Sequence, residues 1–382
     1  MHPLRPRLSP IVLAAAALGL GTPSAAEACQ CGGTPPEVSE PTSAAGPGLL
    51  AVRASGPRGP LVAYDLRDGR VRFTLPAGIA SADGTRFVVS LRRQHTTTLR
   101  LYDARAGRYL GTRQVGGGWN LGAVSGNGRW VSLVRPVRGA TAIRLFDTVR
   151  SESRSFRLRG WFDIDAVAND GQRVFLIQYV RAGYLIRFYD LRRQQLAARV
   201  LTEQGKPMAG IAWGAVASPG GRRLMTLYLR GDRAAEVHTL DLARGTAVCI
   251  DLPRGSAAAL RSYTLALAPD RRTLYAANTA LGVVATVDLR SLRVVHVVHF
   301  RRHMGGDPAS RAAAVSHDGR TVYFAAGRSL YAYDAAYRRV RGSYDIGGAV
   351  AGLGFGPRDW TLRVVRRDGR SFRLDAATGL RR

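Results

Sequence analysis

The chain has 382 residues, 46 % of them hydrophobic, which supplies a substantial core and excludes a disordered profile. Its formal net charge is +29, from 56 basic and 27 acidic residues, and Lys206 is the only lysine. So basic a surface attracts polyanions, anionic lipid headgroups or anionic envelope polymers.

In chain order, the first element is a targeting segment. Arg5 and Arg7 precede an apolar run from Ile11 to Leu20, and Ala26-Glu27-Ala28 follows. This charged, apolar, small-residue order predicts a secretory signal over residues 1–28. The run is too short to span a bilayer well, and no later stretch is long enough. The mature chain is therefore expected to begin at Cys29 and to be exported from a bacterium, as a secreted protein or on the outer face of the cell membrane. Cys29 is a candidate lipidation site, although Glu27 and the missing leucine depart from the usual lipoprotein triplet. Residues 29–48 are rich in Pro, Gly and Ser and read as a linker. Cys29 and Cys31 are too close for an unstrained disulfide. Cys249 lies alone in the strand-like run TAVCIDL and reads as buried packing.

From residue 49 onward two elements alternate. One is an apolar run around an Asp-Gly-like turn, as in ASADGTRFVVSL, AVSGNGRWVSLV, AVANDGQRVFLIQY and AVSHDGRTVYFAA; it occurs seven times. The other is an apolar run ending in an aromatic or aliphatic residue and Asp. It occurs eight times, at Asp65, Asp103, Asp147, Asp190, Asp241, Asp288, Asp334 and Asp375, spaced 38 to 51 residues apart. Period-two alternation and turn residues predict four short strands per unit: a before the first turn, b after it, c ending in Asp, and d after the next turn. Helix signals are nearly absent. Four-stranded units at this period predict an all-β fold, a β-propeller over residues 49–382.

The quoted turns carry a resemblance. SHDGRTVYFAA is similar to the Ser-Pro-Asp-Gly-Arg turn of the WD-repeat and YVTN-repeat propellers, and Tyr-Asp stands where WD repeats have Trp-Asp. The Gly-His dipeptide of WD repeats is missing, so the chain resembles the YVTN-like or Tol-type bacterial propellers more closely. The resemblance implies the fold; its motif is turn chemistry and names no site.

Seven a-strands predict seven blades. The N-terminal piece supplies b, c and d, and the C-terminal piece a, b and c. The strand at Arg70–Leu75 is therefore expected to complete the last blade and close the ring with strands from both ends. A ring of eight blades is the alternative.

The b–c and d–a loops share one face, which is rich in arginine and aromatic residues. Arg92, Arg93, His95, Trp119, Trp161, Tyr263, Arg301, Arg302, His303 and Asp307 form the candidate binding set there. Most carboxylates are committed to turns, leaving Asp163, Asp165 and Asp307 spare. His296, His299 and His303 cluster in sequence without a carboxylate beside them, so no metal site and no cofactor is expected. The reading is an exported, non-enzymatic binding or scaffold propeller, monomeric, presenting an Arg-rich face to a protein or an anionic envelope component. Export disfavours nucleic acid. The alternative, implied by the YVTN resemblance, is an enzyme of lactone hydrolysis or quinone-linked oxidoreduction with its site at the channel mouth near His303, Asp307 and Trp161.

Overall fold

The structure is a computed structural model that describes residues 48–53, 59–202, 205–301, 312–356 and 360–379. The predicted signal, almost all of the linker, Cys29, Arg302, His303 and Asp307 lie outside the described residues. The described chain is all-β: antiparallel sheets joined by short loops, with the four-residue helix Ala257–Leu260 capped by Ser256. No described helix is long and apolar enough to cross a membrane.

The described residues form eight sheets, one more than the seven a-strands predict, so the eight-blade alternative is the observed one. Blades 2 to 7 each hold four strands in chain order across the sheet. Blade 1 (residues 49–75) and blade 8 (residues 350–375) hold three each. The inner strand Tyr263–Leu267 is buried on both faces, whereas the outer strand of the same blade, Arg293–His299, alternates. That contrast is what alternating apolar and polar residues on a half-buried strand produce.

The eight apolar clusters each join two neighbouring blades. Val88, Leu99 and Leu133 link blades 2 and 3; Phe175, Tyr184 and Tyr228 link blades 4 and 5; Tyr323 and Phe355 link blades 7 and 8. The last cluster packs Leu50, Val52 and Tyr64 of blade 1 on Val365 of blade 8, which closes the ring. Each large side chain buried this way contributes about 1.5–3 kcal/mol of transfer free energy.

The Tyr-Asp signature works as local turn chemistry. In all eight copies the aspartate accepts hydrogen bonds from backbone N–H groups two or three residues on, as Asp147 does from Val149 and Arg150, and Asp334 from Ala336 and Tyr337. The next residue then donates its N–H to the carbonyl just before strand b, as Leu191 does to Gln172 and Leu289 to Arg272. In blade 1 this bond runs from Leu66 to Gly48. Leu49–Arg53 therefore has b character, and blade 1 is a b–c–d sheet among the described residues.

The expected pairing of the last blade is corrected here. Val71–Leu75 pairs with Leu61–Asp65 in its own first sheet and adds nothing to blade 8. Each three-stranded piece has apolar side chains for both neighbours, so the two ends stack face to face instead of merging. Arg363 of blade 8 donates to the Arg67 carbonyl at 2.9 Å, and Ser371 donates to the Gly69 carbonyl at 2.9 Å. Gly69 has φ +75°, and a Cβ there would lie 2.5 Å from the Arg363 guanidinium. Only glycine fits that junction.

Candidate functional site

The face made by the b–c turns and d–a loops is held together by a repeated hook. Thr97, at the start of strand c in blade 2, accepts from the Trp119 N–H at 2.7 Å and donates to the Gly117 carbonyl at 2.8 Å. Thr141 does the same one blade on, with Phe162 and Gly160. In blades 2 and 3 the hook fixes the b–c hairpin to the loop that enters the next blade.

In the first hook Trp119 is 2 % exposed, and its indole N–H donates to the Gly116 carbonyl. Two half-buried guanidiniums lie over its ring: Arg135 at 4.5 Å and Arg144 at 4.8 Å from the centroid. Stacking on an indole is a favoured seat for a guanidinium. The two are like charges side by side, and burial together with the Arg135 charge lowers the Arg144 pKa. Arg113, on strand d of blade 2, pairs in register with Leu99 of the same apolar cluster, and its Nη1 donates to the Thr112 carbonyl at 3.0 Å. Among the described residues none of the three has a carboxylate in ion-pair range. The reason is visible in the chain: between Asp103 and Asp147 there is no acidic residue and there are seven arginines. Both of those aspartates serve c–d turns, on the opposite face.

The predicted residues separate into groups. Arg92, Arg93, His95 and Trp119 come together at the blade 2–blade 3 corner. Arg92 donates to Asn120 at 3.0 Å, the His95 carbonyl accepts from Gly117, and Arg92, Arg93 and His95 are exposed. Trp161 stands on the same face one blade on, 51 % exposed. It follows Gly160, which bonds Gly139, and Arg157 donates to the neighbouring Arg138 carbonyl at 2.9 Å. Tyr263 is fully buried in blade 6, its hydroxyl donating to the Pro253 carbonyl, and offers no surface. Arg301 is exposed after the outer strand of blade 6, well round the ring from the others. Arg113, Arg135 and Arg144 were not among the predicted residues; the acid-free stretch was the signal that pointed to them.

A second polar group lies inside the blade 4–blade 5 interface. Asp165 is the bulged residue of strand Phe162–Val167 and is 7 % exposed. Burial, and then the charge of Asp163, push its carboxyl up to about 7. Tyr184 and Tyr228 sit with ring centroids 5.8 Å apart. Burial, and then the neighbouring negative charges, raise both phenols. His238 is pushed down to about 4 by burial, and its Nδ1 is 3.5 Å from Cys249 Sγ. Glu236 is tied to Arg230 at 3.1 Å. Among the described residues Asp165 Oδ1 and His238 Nε2 find no hydrogen-bond partner. Such surroundings hold part of a carboxyl population protonated at neutral pH. No group of three or more His, Cys, Asp or Glu among the described residues is arranged to hold a metal ion. His296 is half-buried and His299 exposed, three positions apart on one strand and so on its two faces.

No protein-family model matches the chain, and no curated protein sequence does. Solved structures do. The dihydro-heme d1 dehydrogenase NirN, solved in complex with DHE, superposes with a TM-score of 0.52 at 18 % identity, covering 88 % of this chain and 72 % of that one. A eukaryotic initiation factor superposes with a TM-score of 0.51 at 15 % identity, covering 89 % and 85 %. Both neighbours are propeller proteins, and at these identities the likeness is one of fold.

Proposed function

We propose that this chain is an exported binding propeller whose b–c/d–a face, centred on blades 2 and 3, holds an anionic envelope component. The observation that carries this reading is the Trp119 seat. Arg135 and Arg144 stack on one indole, and neither has a carboxylate counter-charge among the described residues. A bound anion relieves the repulsion between those guanidiniums and takes up their free N–H donors. Exposed Arg92, Arg93 and His95 extend the patch on one side, and Trp161 with Arg138 and Arg157 on the other. The N-terminal charged, apolar, small-residue order supports export. The WD/YVTN-like turns support a rigid scaffold without specifying a reaction.

The test is binding of the full chain to purified anionic envelope polymer over a salt series. The reading predicts that log affinity falls linearly and steeply with log salt, as ion contacts release counterions. Affinity independent of salt, or no association at low salt, contradicts it.

A further inference from the structure

On the opposite face, at the junction of blades 1 and 2, the structure has a concave site of about 500 Å³. That is the size range of small-molecule sites. Its base is half-buried Leu49 and Phe73 with the buried Asp65 carboxylate, and its rim is Arg67, Arg72 and Arg105. The three guanidiniums are used very differently. Arg72 is tied to Asp65, with Nη2 to Oδ2 at 2.8 Å. Arg105 spends one N–H on the Asp83 carbonyl at 2.7 Å. The Arg67 side chain makes no hydrogen bond or ion pair with the described residues; only its backbone is engaged, donating to Asp65 and accepting from Arg363.

The position of the base is fixed. Phe73 packs against the c–d turn of blade 2, where a Cβ on Gly107 would lie 2.3 Å from its ring. Burial works against the Asp65 carboxylate, but the Arg67 N–H and Arg72 outweigh it and hold its pKa below the usual range. The lining therefore carries three positive charges against one negative, a net of +2 (3 − 1), around an apolar floor.

We infer that this junction is a binding site for a small, doubly charged organic anion with a flat apolar body, such as an aryl phosphate monoester. The body rests on Phe73 and Leu49. The charged end reaches the free guanidinium of Arg67 and the unused donors of Arg105. Arg72 stays with Asp65 and holds the floor.

The experiment is calorimetric titration of the full chain with phenyl phosphate, with inorganic phosphate and phenol as comparators. Phenyl phosphate is expected to bind more tightly than inorganic phosphate, and phenol not at all. Arg67→Ala and Arg105→Ala are each expected to weaken phenyl phosphate by about tenfold or more, the size of one charge-assisted contact. Arg254→Ala, exposed on the other face after strand Thr246–Leu252 and outside both sites, is expected to leave it unchanged. The Arg67 side chain has no partner among the described residues, so its variant also separates lost binding from lost folding. Equal affinity of phenyl phosphate and inorganic phosphate, unchanged binding in Arg67→Ala and Arg105→Ala, or equal weakening by Arg254→Ala would each overturn the assignment. A comparator dicarboxylate, phthalate, binding more tightly than phenyl phosphate would overturn the phosphate monoester specifically.

Discussion

Replacing Asp165 with asparagine keeps the shape of the buried side chain and removes its titration. In the native state burial, and then Asp163, hold the carboxyl at about 7, against 3.8 for the free group. A raised carboxyl pKa means that the folded chain binds that proton more tightly than the unfolded chain. Wild-type stability therefore falls as pH rises from about 4 to about 7, and stays lower above that. At about 1.4 kcal/mol per pKa unit the ceiling is about 4 kcal/mol. His238 acts in the other direction. Its pKa, lowered from 6.5 to about 4, costs stability as pH falls between those values. The two contributions offset each other over most of that interval, so the wild-type profile alone hides both. The assay is urea unfolding of wild type and Asp165→Asn at pH 5, 6, 7 and 8. The variant is expected to gain on the wild type progressively with pH, by up to about 4 kcal/mol at pH 8. A difference that does not change with pH, or a variant less stable at pH 8, would refute the reasoning.

Three further outcomes follow from the packing. Asp147→Ala removes a buried carboxylate that holds Arg129 and two turn N–H groups, and is expected to cost about 3 kcal/mol in denaturant unfolding. No change would mean that the turn signature is not structural. Gly69→Ala forces a side chain at φ +75° into Arg363 and is expected to cost about 1–3 kcal/mol, measured the same way; a neutral result would put ring closure elsewhere. Trp119→Ala is expected to lose about 3–5 kcal/mol of stability, whereas Trp161→Ala stays within about 0.5 kcal/mol while weakening polymer binding. Equal stability losses would contradict the burial contrast between them.

Much of the fold was legible because it is written in turns. The eight Tyr-Asp-like copies each use their aspartate to close a c–d turn, and such local chemistry can be read without knowing the tertiary contacts. The b–c–d and a–b–c character of the two ends was also legible. How the ends meet was not, because face-to-face packing through Leu50, Val52 and Val365 has no sequence spacing to announce it. The candidate face was half legible. Arg92, Arg93, His95 and Trp119 do share a corner, and Trp161 is exposed. Tyr263 looks the same in sequence as a surface tyrosine, and only the inner position of its strand buries it. Arg135 and Arg144 sit on neighbouring strands whose side chains alternate between faces, so their meeting over Trp119 depends on register. Asp165 was visible as a carboxylate without a turn; the two phenols that feel its charge, Tyr184 and Tyr228, come from another strand and from the next blade.

The central claim concerns where on the disc an anion is held. The most direct measurement compares polymer binding by two double variants that remove the same charge. One is Arg135→Gln with Arg144→Gln over Trp119; the other is Arg290→Gln with Arg320→Gln in the turns of blades 6 and 7 on the opposite face. The account predicts a loss of about tenfold or more in affinity, with a shallower salt slope, for the first pair, and near wild-type binding for the second. Equal losses in both would mean that net charge alone governs association and that the Trp119 seat has no special part in it.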